Sequence, residues 1–390
     1  MDFKIIKQSK KSRARAGIIK TENSQLHTPA FFPVATQGCI KTLSLGDIKQ
    51  LNLEGILCNT YHLYLRPGVE IIKKFGGLHN FINFKGIIAT DSGGFQIFSL
   101  GKGLEQGIGK VVKIFPKEKT TKSASSKIKK SLILKIREKG VWFRSHLNGE
   151  THFFSPEKSI AIQKALGADI IFAFDECTSP FDSFESTKKS MERTHRWAER
   201  SLAEFKNKES KSTNKDQALF GIIQGGEYKE LRKISAKFIS SLSFDGFGIG
   251  GSLGKTKDRM FEILDWTIPL LPKEKPRHLL GIGHLEDLKK AVQKGIDLFD
   301  CVYPTRMARH GIAITSKGLL DLKRSKFLSD KKPLDETCHC PACQNYSRGF
   351  LSHLIRAKEA TAMRLLTIHN LYFFKDFMEK LRKGIASGKI

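Results

Sequence analysis

The sequence predicts an α/β fold, a (β/α)8 TIM barrel that carries a zinc-binding subdomain at its C-terminal end. Three observations support this prediction. Eight short apolar segments recur between Pro29 and Val302, most are followed by helical periodicity, and three cysteines cluster near the C-terminus. The apolar segments do not alternate strictly with polar residues, as expected for strands buried on both faces of a parallel sheet. Eight strand–helix units favour a closed barrel over an open doubly wound sheet.

The predicted strands lie in segments 29–36, 55–63, 86–99, 169–177, 219–226, 244–251, 277–283 and 296–302. Between them, Ser155 and Pro156 predict the start of a helix and Gly167 its end, because serine caps a first turn and glycine tolerates left-handed backbone. Residues 285–294 are likewise predicted to form a helix, which Gly295 ends. A Rossmann-like sheet is the alternative, but the glycine pair of residues 281–283 comes late and lacks a third glycine.

We expect two parts, a catalytic barrel in residues 1–326 and a zinc-binding subdomain with C-terminal helices in residues 327–390. A lysine-rich insertion at about 101–140 interrupts the barrel pattern after the third strand. Between Lys117 and Lys139 it has nine basic and two acidic residues, so it can bury little. It is expected to form a loop or hairpin that either lies along an RNA backbone or is a solvated loop without a role.

The net charge of +28 and the pI near 9.8 indicate an anionic macromolecular partner, nucleic acid before a membrane surface. A generally lysine-rich composition is the alternative, because lysines are spread along the chain. No apolar run reaches the roughly 18 residues of a membrane span, and the N-terminus lacks the apolar core of a signal peptide. Seven cysteines, three of them clustered, favour a reducing compartment, so the cytoplasm is expected and no membrane partner.

Polar residues and glycines follow the predicted strands, where a barrel does its chemistry. They are Asp91, Ser92, Gly93, Gly94, Phe95 and Gln96 after the third strand, Asp175 and Glu176 after the fourth, Gln224 and two glycines after the fifth, Gly250 and Gly251 after the sixth, and Asp300 in the eighth. A single aspartate at such a position is often a helix cap, and Gln224 could satisfy neighbouring backbone groups. Because so many polar residues follow strands at the same face of the predicted barrel, we instead predict that they form a functional site.

Paired carboxylates beside a sugar suit chemistry at an anomeric carbon, with one attacking C1′ and the other protonating the departing group. A third carboxylate with Gln224 and the Gly251 amide could read a purine edge. These residues leave open a glycoside hydrolase and a nucleoside-directed transferase. Arg306 and Arg309, three residues apart behind Asp300, favour a nucleic acid, because guanidinium groups bind phosphate bidentately.

The motif CHCPAC supplies Cys338, Cys340 and Cys343, and two histidines, His353 and His369, follow it. Three thiolates and one imidazole make a closed tetrahedral site typical of structural zinc. The residues between have helical character, which could bring His369 back to the cysteines. Four filled positions leave no place for a catalytic water, so one structural Zn²⁺ per chain is predicted.

Nine motifs together resemble the bacterial tRNA-guanine transglycosylases, the queuine tRNA-ribosyltransferase family. They are KSRARAG, TPAFFPVATQG, CNTYHLYLRPG, DSGGFQIFSL, SPEKSIAIQ, FDEC, GIIQGG, FDCVYPTR and CHCPAC. The resemblance implies exchange of guanine at the tRNA anticodon wobble position for a 7-deazaguanine, on the route to queuosine. It also implies a barrel with a zinc subdomain that acts as a homodimer.

Site roles follow from the same resemblance. Asp300 matches the nucleophile that bonds to ribose C1′, and Asp91 matches the general acid/base. The base-binding positions are Asp91, Ser92, Gly93, Gly94, Phe95, Asp175, Gln224, Gly251 and Leu280, with Phe95 and Leu280 on either side of the base. The tRNA-contacting positions are Gly281, Ile282, Gly283, His284, Leu285, Glu286, Asp287, Thr305, Arg306, Met307, Ala308 and Arg309. The zinc ligands are Cys338, Cys340, Cys343 and His369.

The sequence departs from the family pattern after the paired glycines. The stretch 252–255 (SLGK) is one residue shorter than usual and ends in Lys255 instead of an acidic residue. In the family this loop lies near the position-7 substituent of the base, for which 7-aminomethyl-7-deazaguanine is the first expectation and queuine the alternative. A non-catalytic tRNA-binding partner subunit is a further alternative, against which the presence of all three aspartates argues.

Overall fold

The computed structural model describes residues 1–22, 24–98 and 132–390. Its strands in chain order are β1 (Asp2–Gln8), β2 (Arg15–Lys20), β3 (Gln25–Thr28), β4 (Ala30–Pro33), β5 (Gly55–Cys58), β6 (Ile87–Thr90), β7 (Ile133–Arg137), β8 (Gly140–Arg144), β9 (Thr151–Phe154), β10 (Ile170–Phe172), β11 (Ala218–Ile223), β12 (Gly246–Ile249), β13 (Arg277–Leu279), β14 (Leu298–Cys301), β15 (Ile312–Thr315) and β16 (Gly318–Asp321).

Eight of these strands, β4 to β6 and β10 to β14, pair in parallel and in chain order. β14 returns to pair with β4, which places Asp300 opposite Phe32. A parallel bridge between Val34 and Leu57 joins β4 to β5 and completes the ring. Seven of the eight predicted segments contain one whole strand each, and β11 begins one residue before its predicted segment, so the barrel prediction is confirmed.

Helices follow most barrel strands. They span Leu45–Leu51, Thr60–Leu65, Val69–Lys74, Leu78–Ile82, Pro156–Leu166, Phe184–Lys206, Lys229–Ser241, Lys257–Thr267, Leu285–Gln293, Tyr303–Arg309, Pro341–Asn345, Arg348–Arg356 and Ala360–Ala386, and residues 94–98 are also helical. The predicted helix ends are confirmed. The Ser155 hydroxyl accepts a hydrogen bond from the Lys158 amide, and Gly167 and Gly295 have φ of +74° and +100°. Within the described residues, no helix has the length and apolar character needed to cross a membrane.

Phenylalanines of the barrel interior pack against glycines of neighbouring strands. A Cβ atom built on Gly55 would lie 2.2 Å from the ring of Phe32, and one on Gly246 would lie 2.5 Å from that of Phe220. Both rings are fully buried. The glycines therefore make room for large rings, which fill the barrel instead of leaving a channel.

The described residues also form three antiparallel sheets that the sequence analysis did not predict. One joins β1, β2 and β3, another joins β7, β8 and β9, and the third joins β15 and β16. The predicted insertion falls largely on residues 99–131, outside the described part of the chain, and the residues that follow form the β7–β8 hairpin. After the last barrel strand, Pro304 lies in the first turn of the helix Tyr303–Arg309, where proline is well tolerated.

The C-terminal region packs tightly on the barrel. The Phe374 ring, in the helix Ala360–Ala386, lies 4.8 Å from the Phe31 ring of β4. Around the cysteines, Leu334 and Leu351 share one hydrophobic cluster with Ala308, from the barrel part of the chain. A division at residue 326 remains a prediction.

The N-terminal sheet is attached to the barrel by a buried ion pair. Asp297 accepts hydrogen bonds from the Arg15 guanidinium at 2.8 and 2.6 Å and from the Arg277 amide at 2.8 Å. Asp297 is fully buried and Arg15 is 3% exposed. This carboxylate ties β2 to the start of two barrel strands.

We predict that Asp297→Ala lowers the free energy of unfolding by about 3–5 kcal/mol, because it leaves the buried Arg15 guanidinium without its anionic partner and with only the Lys273 and Lys275 carbonyls as acceptors. Denaturant unfolding followed by circular dichroism would measure the change. Asp265→Ala is the matched control, because Asp265 pairs with Arg13 and is 40% exposed. Its expected cost is about 0–1 kcal/mol. Equal losses in the two variants would contradict the role of Asp297.

Candidate active site

Asp91 follows β6 directly and is held by the start of the helix after β5. The Thr60 amide donates to Asp91 Oδ1 at 2.7 Å, and Asn59 Nδ2 donates to Oδ2 at 3.0 Å. Burial of the carboxyl group raises its pKa to about 6, against these two hydrogen bonds. The negative charges of Asp300 and Asp175 raise it further, so the three carboxylates interact at one end of the barrel.

Asp175 is buried and bound by three side chains. Ser92 Oγ donates to Oδ1 at 3.1 Å, Gln224 Nε2 donates to Oδ2 at 2.6 Å, and the Cys177 thiol lies 3.4 Å from Oδ2. Burial raises the pKa of Asp175. Gln224 is also fully buried, and its Oε1 has no hydrogen-bond partner among the described residues. A buried acceptor of this kind is a place where a ligand can donate.

Two glycines leave space around Asp175 and Gln224. Gly251 has a φ of +70°, and a Cβ atom there would lie 2.0 Å from Gln224 Oε1. A Cβ atom on Gly94 would lie 2.8 Å from the Asp175 carbonyl oxygen. Any larger residue would displace Gln224 or the backbone at Asp175, so these positions require glycine.

A buried arginine that the sequence analysis missed fixes the two glycine turns. Arg232 Nε donates to Gly226 O at 2.7 Å, and its two NH groups donate to Ile223 O at 2.9 Å, Gly250 O at 3.1 Å and Ser252 O at 2.7 Å. Burial lowers its pKa to about 9. By bonding to carbonyls after both β11 and β12, this one side chain sets the distance between Gln224 and Gly251.

Asp300 lies in β14 and faces the barrel interior. Its Oδ1 is 2.9 Å from His278 Nε2 and 3.3 Å from the Gly281 amide nitrogen. The carboxylate is 13% exposed and His278 is fully buried. Asp300 therefore stands at the same end of the barrel as Asp91 and Asp175, at the mouth instead of inside the core.

The two predicted base-flanking residues are apolar and placed differently. Phe95 is 46% exposed, just after Gly94. Leu280 follows β13, and its Cδ1 lies 3.5 Å from where a Cβ atom would stand on Gly248. Leu280 thus packs over the glycines of β12, and Phe95 presents an open aromatic face, as a flat ligand requires.

The two predicted RNA-contacting segments lie side by side. The His284 ring is 4.4 Å from the Tyr303 ring, at the start of the helix that carries Thr305, Arg306, Met307, Ala308 and Arg309. Arg309 donates to Thr305 O at 2.9 Å, and both burial and the Arg306 charge lower its pKa. Two guanidinium groups thus lie near each other, just beyond Asp300.

Several members of these segments are buried. Ile282, Gly283, Asp287, Thr305 and Ala308 have little exposure, and Asp287 pairs with Lys257 at 3.1 Å. Their side chains can shape the segments. Contact with a large ligand is open to the remaining residues: Gly281, His284, Leu285, Glu286, Arg306, Met307 and Arg309.

Sequence reasoning missed the residues that hold the carboxylates. Asn59 and Thr60 belong to a quoted motif, and Cys177 ends another, yet they had no assigned role. His278 and Arg232 lie in a strand and a helix without any motif signal. Only the register between β13 and β14 and the packing of the helix Lys229–Ser241 bring them to the site.

The predicted metal ligands come together as expected. The donor atoms of Cys338, Cys340, Cys343 and His369 all lie within 4.8 Å of one another, and His369 Nδ1 is 3.3 Å from two of the sulfurs and 3.7 Å from the third. Tetrahedral zinc with bonds of about 2.1–2.3 Å requires donor separations of about 3.6 Å. The cluster therefore fits Zn²⁺.

The other imidazole nitrogen is also held. His369 Nε2 lies 3.0 Å from Ile314 O, so the ring presents Nδ1 to the cysteines. His353, the other histidine after the motif, is exposed and is not part of the cluster. The chain therefore offers four donors that could hold a metal ion such as zinc.

Comparison with known proteins gives one consistent result. The family described as Queuine tRNA-ribosyltransferase matches residues 9–114 and 104–390. A protein of Archaeoglobus fulgidus is 49% identical over 389 residues, covering 96% of this chain and 94% of the relative. Queuine tRNA-ribosyltransferases of Caldanaerobacter subterraneus and Macrococcus caseolyticus are 45% and 46% identical over 389 residues, covering all of this chain and 94% and 93% of theirs.

We predict about one zinc per chain, measured by mass spectrometry of the purified protein. Cys343→Ser should lose the metal and lower the thermal midpoint, because structural zinc contributes on the order of 10 kcal/mol. Cys39→Ser, at an exposed cysteine outside the cluster, is the control and should keep both. A metal-free preparation with an unchanged thermal midpoint of unfolding would contradict a structural role for the zinc.

Proposed function

The chain belongs to the queuine tRNA-ribosyltransferase family, and we propose that it exchanges guanine at the tRNA wobble position for a 7-deazaguanine. The observation that carries the proposal is the meeting of Asp91, Asp175 and Asp300 at one barrel end, each held by hydrogen-bond donors. A nucleophile, an acid/base and a base-reading group need three such carboxylates. In the family setting the product leads to queuosine.

In the first displacement the Asp300 carboxylate attacks ribose C1′. The C1′–N9 bond breaks, its electron pair stays on guanine, and protonated Asp91 gives the departing base a proton. An ester joins Asp300 to the tRNA, which therefore stays bound while the bases change. The pKa of Asp91, about 6, supports this role, because both of its forms are populated near neutral pH.

The second displacement reverses the roles. The incoming base gives its N9 proton to ionised Asp91, and N9 bonds to C1′. The Asp300 carboxylate leaves with the electron pair of the ester bond. Two displacements on one carbon retain the configuration of the ribose.

Base recognition is assigned to Asp175, Gln224 and the Gly251 amide. The support is Gln224 Oε1, which has no partner in the described part of the chain and can accept from a purine N–H, beside a carboxylate that can also accept. Ser92, Gly93 and Gly94 shape the other side, and Phe95 and Leu280 would hold the ring between them. Arg306 and Arg309 would grip the neighbouring phosphates.

The loop near the position-7 substituent supports an aminomethyl base. Lys255 Nζ lies 3.2 Å from Glu227 Oε1, so a carboxylate neutralises the lysine that departs from the family pattern. Lys255 then does not oppose a cationic aminomethyl group, and 7-aminomethyl-7-deazaguanine stays our choice over queuine. We further propose a cytoplasmic homodimer, with residues 1–326 as the catalytic part.

We predict that labelled guanine enters tRNA with this protein, and that Asp300→Asn abolishes both labelling and the tRNA adduct that survives denaturing electrophoresis. The amide keeps the shape of the side chain and removes its nucleophilicity. Asp265→Asn, a change at an exposed carboxylate, is the control and should label normally. An adduct in Asp300→Asn would exclude that nucleophile. Binding of tRNA without any labelling by the unaltered protein would indicate a non-catalytic subunit.

We predict opposite pH dependences for the two displacements. Asp91 must be protonated to release guanine, so the rate of adduct formation should fall about tenfold per pH unit above pH 6. Resolution of the adduct by added base needs ionised Asp91 and should rise up to about pH 6 and then level off. Rapid-quench measurements from pH 5 to pH 8 would show both. The same profiles in Asp91→Asn would contradict the assignment.

A further inference from the structure

We infer that His278 is the positioning residue of Asp300: it holds one carboxylate oxygen so that the other is free to attack. The inference rests on the proposed function and extends it to a residue in the barrel interior. His278 itself would not touch the substrate, because it is fully buried behind Asp300.

The register of the last two barrel strands brings the two side chains together. His278 of β13 is paired with Leu298 of β14, and Asp300 follows Leu298 by two residues. Side chains two apart along a strand face the same side, so Leu298 and Asp300 both point into the barrel. Leu298 belongs to the interior hydrophobic cluster, which confirms the direction.

The imidazole is held between two aromatic rings. Its centroid lies 5.9 Å from that of Phe32, at 27°, and 5.4 Å from that of Phe172, at 73°. Both rings are fully buried. This packing restricts rotation of the His278 ring and keeps Nε2 directed at Asp300 Oδ1, 2.9 Å away.

The surroundings also determine which nitrogen carries the hydrogen. His278 Nδ1 is buried and has no hydrogen-bond partner among the described residues. An N–H there would be an unsatisfied buried donor, whereas an N–H on Nε2 is satisfied by the carboxylate. The favoured tautomer therefore donates from Nε2 to Asp300 Oδ1.

The two oxygens of Asp300 are consequently different. Oδ1 receives His278 Nε2–H and, at 3.3 Å, the Gly281 amide. No donor from the described residues contacts Oδ2, which leaves its lone pairs for C1′. When the ester later breaks, the electron pair returns to a carboxylate whose Oδ1 is already bound by two donors, so the leaving group is stabilised.

Three variants test the inference. His278→Leu removes the donor at similar volume, and His278→Gln offers an amide N–H at a reach comparable to Nε2. We expect the Leu variant to form the tRNA adduct about 10–100-fold more slowly, as for other supporting hydrogen bonds, with tRNA affinity changed less than twofold. The Gln variant should regain most of the rate. Asp300→Asn, run in parallel, reports on the nucleophile itself.

Thermal midpoint, zinc content and tRNA binding by filter retention separate folding from chemistry. Slow adduct formation in the Leu variant with unchanged tRNA binding, together with recovery in the Gln variant, supports positioning. A normal rate in the Leu variant, or equally slow Leu and Gln variants, overturns it. Loss of tRNA binding in both variants also overturns it, because His278 would then be a packing residue. If Asp300→Asn keeps the adduct, the proposed function fails, whatever His278 does.

Discussion

The site depends on burial of like charges that are held by hydrogen-bond donors instead of cations. Asp91 is bound by Asn59 and Thr60, Asp175 by Ser92 and Gln224, and Asp300 by His278 and the Gly281 amide. Among the described residues, no lysine or arginine forms an ion pair with any of the three. Their mutual repulsion and desolvation therefore persist, which raises the pKa of Asp91 to about 6. Direct ion pairs with lysine or arginine would have lowered the pKa of Asp91, against its proposed role as the acid.

A chain with a net charge of +28 can hold such a site, because its positive charge lies elsewhere. Arg306 and Arg309 lie in the helix that follows the strand of Asp300, where in the proposed function they would meet phosphates without neutralising Asp300. Arg232 is buried nearby, but its hydrogen bonds go to backbone carbonyls at the ends of β11 and β12. In the proposed function Arg306 and Arg309 bind the tRNA backbone, Arg232 fixes the two turns, and the three carboxylates stay available for the exchange.

The sequence predicts the framework well, because local patterns determine it. Continuous apolar runs indicate the eight barrel strands, and residues just after them indicate the rim that carries Asp91 and Asp175. His278 and Arg232 could not be predicted, because their partners lie on other elements. No local sequence pattern shows the register of β13 against β14, or the hydrogen bonds of Arg232 to carbonyls of two separate turns.

The Cys3His cluster takes no part in the carboxylate site, but hydrogen bonds to the backbone connect it to the segment that follows the strand of Asp300. His369 holds Ile314 O through Nε2, and the next residue, Asn370, donates to Pro304 O and Ile312 O and accepts from the Ile314 amide. Pro304 lies in the first turn of the helix Tyr303–Arg309, which carries Arg306 and Arg309 and follows the strand of Asp300. The Cys3His cluster is thereby connected to this helix through two adjacent side chains, those of His369 and Asn370. A metal ion held by the four residues of the cluster would therefore fix the helix of Arg306 and Arg309 relative to the strand of Asp300, and the proposed tRNA contact and the proposed nucleophile depend on that arrangement.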